Sequence, residues 1–132
     1  MSHTIRIVVA DDHAIVRRAL VQFLGSKEDM TIIGEAPDGA ALISLLESEQ
    51  PDVILMDYNM PEVDGVEATR QIHARYPQIC VIGISMHEDG PVERDMLNAG
   101  AVAYIPKKNV AQCLEHAIRR CTSQEQTGPA DA

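Results

Sequence analysis

The chain has 132 residues, of which 45% are hydrophobic and 23% charged, which is typical of a single soluble globular domain with a substantial core. Its formal net charge is -9, with only 11 Lys and Arg against 20 Asp and Glu. This balance argues against a nucleic-acid surface, and the lack of a long apolar run or a signal peptide argues against a membrane span or export, so we expect a cytoplasmic protein.

Short apolar segments alternate along the chain with longer segments of helical periodicity. This alternation predicts an α/β fold with a parallel sheet, because each strand is followed by a helix that returns the chain to the same edge. The predicted strands lie at 5–10, 30–36, 53–56, 79–84 and 102–105, and the predicted helices lie around 15–24, 42–46, 66–76, 90–100 and 110–121.

Local signals support these boundaries. Asp38 is predicted to open the second helix, and Asp64 with Glu67 three residues later resembles a capping box at the start of the third. After residue 121 the sequence is polar and has no apolar period, so we predict a domain at 4–121 and a tail or linker at 122–132.

Acidic residues follow two of the predicted strands. Asp11 and Asp12 come directly after the first strand, and Asp57 follows the apolar run of the third. In an open parallel sheet the carboxyl ends of the strands lie along one edge, so these carboxylates are expected to converge. Their repulsion, about a few kcal/mol for each close pair, favours a bound cation, and Mg²⁺ fits oxygen ligands best.

A hydroxyl and an ammonium group are expected at the same edge. Ser85 follows the fourth strand and Lys107 follows the fifth. Beside a cation and a carboxylate, these groups can hydrogen-bond or neutralise the oxygens of a phosphoryl group. Asp57 is therefore a candidate nucleophile towards phosphorus that would form an acyl phosphate.

Each of these residues also has a simpler interpretation. Taken alone, Asp12 reads as a helix cap, Ser85 as a loop hydroxyl and Lys107 as a surface charge. The coincidence at four strand ends favours the functional interpretation. His13 is expected to face solvent at the start of a helix, and the three cysteines have no metal-ligand spacing and are expected to be buried thiols.

Four motifs together resemble the receiver domain of the response regulators in two-component signalling. They are the acid pair in "VVADDH", the aspartate in "ILMDYNMPEVDG", the hydroxyl in "ISMHED" and the lysine in "YIPKK". The resemblance covers nearly all of the chain before the tail. It implies a flavodoxin-like, doubly wound, five-stranded parallel sheet in the order 2-1-3-4-5 with five helices.

The resemblance also implies a role for each site residue. Asp57 would accept a phosphoryl group from a sensor histidine kinase, while Ser85 and Lys107 hold its oxygens. The Mg²⁺ ligands would be Asp12, Asp57 and the backbone carbonyl of Asn59, with Asp11 bound through water. Tyr104 would turn inward when Ser85 moves onto the phosphate, and the fourth helix, fifth strand and fifth helix would form the output face.

Two stretches, "ADDHAIVRRAL" and "NAGAVAYIPK", are most similar to the NarL/FixJ-like subgroup, whose receivers precede a DNA-binding domain. The resemblance implies control of transcription through an output domain absent from this chain, with DNA contacted only there, and a homodimer through the output face. The chain is expected to be a fragment, a stand-alone receiver or the receiver of a larger kinase. It is not expected to be an enzyme beyond its own phosphorylation and dephosphorylation.

Three other functions compete with this interpretation. A Mg²⁺-dependent phosphohydrolase with an aspartyl-phosphate intermediate would need a second Asp two residues after Asp57, where Asn59 stands. A nucleotide-binding module would need a Gly-rich loop where "ADDH" places negative charge. A receiver-like scaffold that takes no phosphate is disfavoured by the complete set of acids, Ser85 and Lys107.

Overall fold

A parallel sheet with helices on both faces forms the computed structural model, which describes residues 4–60, 63–85 and 90–127, with residues 90 and 123–127 described by their backbone alone. The sheet has five strands in the order β2-β1-β3-β4-β5, which confirms the predicted topology. In chain order the described elements are β1 (Ile5–Ala10), α1 (Ala14–Gly25), β2 (Met30–Ala36), α2 (Gly39–Leu45), β3 (Val53–Asp57), α3 (Gly65–Arg75), β4 (Cys80–Ser85), α4 (Gly90–Ala99), β5 (Ala103–Pro106), a 3-10 turn (Lys107–Asn109) and α5 (Val110–Thr127).

Strand β3 lies at the centre of the sheet and is buried along its whole length. Val53 and Leu55 face the core layer that includes residues of α1 and α5. Ile54 and Met56 face the opposite layer, which includes residues of α2, α3 and α4. Both faces of a strand in a doubly covered sheet are buried, which explains the unbroken apolar run in the sequence.

The predicted helix starts are borne out at two acidic caps. The Asp38 side chain accepts a hydrogen bond from the Ala41 N–H at 2.7 Å, and Asp64 accepts one from the Glu67 N–H at 2.9 Å. Each cap pairs one of the N–H groups that a helix start leaves without an intrahelical partner. The predicted capping box is incomplete, because the Glu67 oxygens accept hydrogen bonds from the Arg70 and Gln71 side chains and not from the Asp64 N–H.

Ile15 and Cys113 are apolar residues within predicted helices, and both are exposed. Ile15 of α1 is 86% exposed, because it lies about 140° around the helix from the buried Leu20. Cys113 of α5 is also exposed, whereas Cys80 and Cys121 are buried as predicted. Cys113 precedes the buried Leu114 by one residue, which turns it about 100° away from the core.

Helix α5 continues to Thr127, so the first six residues of the segment predicted as a tail are helical. The domain boundary at residue 121 therefore stays a prediction. In the part of the chain that the structure describes, no helix combines the length and the apolar character that crossing a membrane requires.

Candidate functional site

Four polar residues lie where neighbouring strands end, at the carboxyl edge of the sheet. Asp57 is the last residue of β3 and Ser85 the last residue of β4. Asp11 directly follows β1, and Lys107 directly follows β5. Because β1, β3, β4 and β5 are adjacent and parallel, their ends reach the same edge, as predicted from the sequence.

The acidic residues form a pocket at this edge. Asp11 is fully buried and Asp57 is only 2% exposed, whereas Asp12 stands at the rim. One ligand atom from each of Asp11, Asp12, His13 and Asp57 lies within 4.8 Å of the others. The structure therefore brings together three carboxylates from two strand ends, and it adds an imidazole to them.

Lys107 is the cation that lies closest to the two buried acids among the described residues. Its Nζ lies 2.9 Å from Asp11 Oδ2 and 3.6 Å from Asp57 Oδ1, and only 7% of its side chain is exposed. The contact with Asp11 is an ion pair between two buried groups. One ammonium group beside three carboxylates leaves the pocket with an excess of negative charge.

The two carboxylate oxygens of Asp57 have different surroundings. Oδ1 faces Lys107 and accepts a weak hydrogen bond from the Asn59 N–H at 3.4 Å. Oδ2 is buried and accepts no hydrogen bond from the described residues. Burial raises the pKa of Asp57 to about 7, the negative charge of Asp11 adds to this rise, and Lys107 opposes it.

The loop after β3 is held close to Asp57 by the main chain. The Tyr58 N–H donates to the Ile84 carbonyl at 2.9 Å, and the Gly65 N–H donates to the Tyr58 carbonyl at 2.9 Å. A Cβ atom at Gly65 would overlap the Asp57 carbonyl oxygen and lie 2.8 Å from the Tyr58 Cα. Glycine is therefore required here for α3 to start directly against the end of β3.

Arg17 of α1 supports the loop after β1. Its guanidinium donates to the Asp11 carbonyl oxygen at 2.6 Å and to Glu35 Oε1 on β2 at 3.0 Å. The Asp11 N–H donates to the Ala36 carbonyl at 3.0 Å. Asp11 is thus fixed through its own backbone at both its N–H and its C=O group, and sequence patterns gave no sign of the contribution of Arg17.

Ser85 and Tyr104 lie on one face of the sheet. The register pairs Gly83 with Tyr104 and Ser85 with Pro106. Ser85 and Tyr104 are therefore offset by two positions on neighbouring strands, which places their side chains on the same face. A Cβ atom at Gly83 would lie 3.3 Å from the Tyr104 ring and 2.7 Å from the end of Met96 on α4. The Tyr104 ring therefore lies beside α4, and Ser85 is 1% exposed at the pocket end of the same face.

His13 belongs to the pocket, although the sequence interpretation gave it no role. It is the N-cap residue of α1 and is more than half exposed, as expected. Its Nδ1 nevertheless lies 3.1 Å from Asp12 Oδ1 and 3.3 Å from Asp11 Oδ1. The place of His13 directly after two acids in the sequence was a signal for this role, but residue spacing at a helix start does not show which way a side chain points.

The donors in the pocket fit a hard divalent cation. Asp57 Oδ2 is a buried carboxylate oxygen that accepts no hydrogen bond from the described part of the chain, and Asp11 Oδ2 is compensated only by its ion pair with Lys107. Such oxygens are costly to bury unless a charge compensates them, and Mg²⁺ prefers oxygen ligands. Asp12 at the rim offers a third carboxylate, while Asn59 follows Asp57 by two residues, where its main chain faces the same pocket.

Comparisons with known proteins agree with this site. The response regulator receiver domain family matches residues 7–119. The transcriptional regulatory protein DegU of Brevibacillus brevis is 38% identical over 115 residues, which are 87% of this chain and 49% of DegU. The response regulator protein VraR of Staphylococcus aureus is 38% identical over 123 residues, which are 92% of this chain and 58% of VraR.

Solved structures show the same fold. The receiver domain of the response regulator NarL from Mycobacterium tuberculosis superposes with a TM-score of 0.86 at 30% identity, covering 92% of this chain and 98% of that chain. The response regulator domain of Thermotoga maritima CheB gives a TM-score of 0.85 at 32% identity, with the same coverage. The chain spans about half the length of the curated relatives it matches. Its sequence, fold and strand-end residues together show that this chain belongs to the receiver domain family of the response regulators in two-component signalling, with relatives of the NarL/LuxR type.

Proposed function

We propose that Asp57 accepts a phosphoryl group from a phosphohistidine of a sensor histidine kinase, in a reaction that depends on Mg²⁺. The observation that carries this proposal is Asp57 Oδ2, a carboxylate oxygen buried at the end of the central strand with no hydrogen bond from the described residues. Such an oxygen is available for a bond to a cation or to phosphorus.

The proposed ligands of the cation are Asp12, Asp57 and the Asn59 carbonyl, with Asp11 bound through water. The ion would neutralise oxygens of the carboxylates and of the incoming phosphoryl group. The raised pKa of Asp57 agrees with a pocket that lacks compensating positive charge, because burial and Asp11 disfavour the carboxylate there. Nucleophilic attack needs the carboxylate, so Lys107 and a cation both favour the reactive form.

The transfer forms one bond and breaks one. A carboxylate oxygen of Asp57 bonds to phosphorus while the bond from phosphorus to the donor nitrogen breaks, and its electron pair stays on the histidine of the kinase. Lys107, which lies within 3.6 Å of both acids, is proposed to hold one phosphoryl oxygen. Ser85 at the end of β4 is proposed to donate its hydroxyl to another.

Switching is proposed to pass from Ser85 to Tyr104. An acyl phosphate adds about one negative charge and new acceptor oxygens to the pocket. If Ser85 and Lys107 bind them better in one arrangement of β4, β5 and α4, phosphorylation shifts the population towards it. The shared face of Ser85 and Tyr104, and the contact of Gly83 with Tyr104 and Met96, support this route.

The output face is proposed to be α4, β5 and α5. Tyr104 lines a groove of about 440 Å³ between β5 and α5, and Leu97 and Val102 are 41% and 53% exposed on neighbouring elements. A change in Tyr104 would therefore alter a surface that can take a partner or a second copy of the chain. As in relatives named as transcriptional regulators, this chain is proposed to control transcription through an output domain that carries the DNA contact, and to act as a switch rather than as an enzyme.

Phosphoryl transfer is tested with Mg²⁺ and a small phosphodonor, read by intact mass. The wild type should gain the mass of one phosphoryl group, and Asp57→Asn should gain none. Asp95→Asn is the matched control, since Asp95 is an exposed carboxylate on α4, away from the strand ends. A label that persists in Asp57→Asn would overturn the assignment of the acceptor.

The relay is tested with beryllium fluoride, a stable mimic of the phosphoryl group, by NMR. Signals of Ser85, of the Tyr104 ring and of the amides at 90–106 should shift when the mimic binds in the presence of Mg²⁺. The same addition to Asp57→Asn is the control and should shift none of them. If the wild-type pocket responds while the Tyr104 ring does not, the relay is wrong but the acceptor assignment stands.

A further inference from the structure

The imidazole of His13 is a nitrogen donor at the rim of an otherwise oxygen-lined pocket. The backbone of His13 is extended (φ -90°, ψ 104°), and its side chain does not cap α1. Its Nδ1 instead lies 3.1 Å from Asp12 Oδ1 and 3.3 Å from Asp11 Oδ1. These separations suit neighbouring ligands of one ion, because metal–ligand bonds of about 2.1 Å at right angles place their donor atoms about 3 Å apart.

A second observation points to a ligand in the same place. Asp57 is only 2% exposed, and its Oδ2 accepts no hydrogen bond from the described residues. Asp57 also offers one carboxylate oxygen as a metal ligand within 4.8 Å of ligand atoms of Asp11, Asp12 and His13. The pocket therefore has a buried oxygen that needs a positive partner and, at its rim, an accessible nitrogen. Its three carboxylates exceed the single charge of Lys107, which favours a dication.

The chemistry of these donors bears on which dication binds best. Mg²⁺ is a hard ion that takes oxygen ligands and keeps several waters, so an imidazole adds little to its binding. Ni²⁺, Cu²⁺ and Zn²⁺ bind imidazole nitrogen well and exceed earlier divalent ions in affinity for mixed oxygen and nitrogen sites. A pocket of carboxylates with one imidazole should therefore discriminate in favour of these later ions.

We propose that His13 makes this pocket a mixed oxygen and nitrogen site, in which a later transition-series dication such as Ni²⁺ binds more tightly than Mg²⁺ and competes with it. The inference uses the same pocket as the proposed function and rests on it to that extent. It adds a ligand and a class of ion that this function does not need.

Binding of each metal alone is measured by isothermal titration calorimetry on the wild type, His13→Gln and His116→Gln. Because losing even an outer-shell partner of a metal ligand costs about tenfold in affinity, His13→Gln should weaken Ni²⁺ binding at least about tenfold. Mg²⁺ affinity should change by less than about threefold, since Mg²⁺ does not use the nitrogen. His116 is an exposed histidine of α5, so His116→Gln should leave both affinities unchanged.

An NMR titration of the wild type with Ni²⁺ supplies a test that needs no variant. The paramagnetic ion should broaden the ring signals of His13 before those of the other histidines. The proposal is overturned if His13 is not the first to broaden, if Ni²⁺ affinity survives in His13→Gln, or if both metals weaken equally, which would mean that His13 only orders the acids. If the wild type itself bound no Mg²⁺, or gained no phosphoryl label on Asp57, the result would instead count against the proposed function.

Discussion

Replacing Asp57 by asparagine removes a buried negative charge from the centre of the pocket. Burial and the neighbouring Asp11 raise the pKa of Asp57 from 3.8 to about 7. The folded state therefore disfavours the carboxylate, whereas the unfolded chain loses its proton at the ordinary pKa. Below pH 3.8 both states are protonated and nothing is lost, and the penalty on folding grows as the pH rises until it levels off above about pH 7.

The magnitude follows from the two pKa values. Their difference corresponds to about 4 kcal/mol of destabilisation above pH 7. Linkage gives about 2 kcal/mol of this at pH 5 and about 4 kcal/mol at pH 8. The stability advantage of Asp57→Asn over the wild type should therefore grow by about 2 kcal/mol between these pH values, or on the order of 10 °C in Tm.

Thermal and urea unfolding at pH 5 and pH 8, in the presence of a chelator, measure this change. Any effect of asparagine that does not depend on pH cancels in the comparison. Asp95→Asn, which removes an exposed carboxylate of α4, should show a constant difference from the wild type across this range. Saturating Mg²⁺ at pH 8 should stabilise the wild type more than Asp57→Asn, because a cation compensates the buried charge.

A difference between Asp57→Asn and the wild type that stays constant within about 0.5 kcal/mol from pH 5 to pH 8 would refute this reasoning. An advantage that shrinks as the pH rises would reverse its sign and would mean that Lys107 outweighs burial and Asp11. Either result would remove the physical reason for placing a cation beside Asp57.

Three further changes have distinct expected outcomes. Lys107→Met should slow phosphoryl labelling on the order of 10²-fold, measured by intact mass over time, because a cation that stabilises the transferring group is lost; an unchanged rate would exclude that role. Gly65→Ala should lower the free energy of unfolding, measured by urea titration, by about 1–3 kcal/mol, since its Cβ would overlap the carbonyl oxygen at the end of β3. Gly25→Ala is the control and should be nearly neutral, because nothing lies within 4 Å of its added Cβ. Arg17→Met should weaken Mg²⁺ binding about tenfold, measured by calorimetry, because the hydrogen bond that holds the loop after β1 is lost. Equal weakening in Arg18→Met, a change at an exposed neighbour, would show that the effect is only one of net charge.

The sequence was most informative where residues are fixed by the backbone. Parallel strands place their ends along one edge, so the sequence predicts where the polar residues that follow them lie. Asp11 and Asp57 meet at Lys107 as expected, since each places a carboxylate oxygen within 3.6 Å of the Lys107 ammonium. The family resemblance supplied the strand order, which propensity and periodicity alone do not determine.

Features that depend on side-chain direction could not be read from the sequence. Ile15 and Cys113 are apolar residues within predicted helices, yet each faces solvent. His13 turns towards the acids because of its extended backbone at the start of α1. The contact of Arg17 with Glu35 joins two elements across 18 residues, and pairing of this kind leaves no local pattern.

Because helices cover both faces of the sheet, the residues of the pocket and the surfaces that can contact a partner belong to different parts of the fold. Strands β1, β3 and β4 present almost no side chains to other proteins, because their surfaces are occupied by the two core layers. Affinity for a particular partner has to be encoded in helix surfaces, connecting loops and the partly exposed edge strand β5, which can vary while the strand ends stay constant. Exchanging those outer surfaces between related chains should therefore redirect signalling without rebuilding its chemistry.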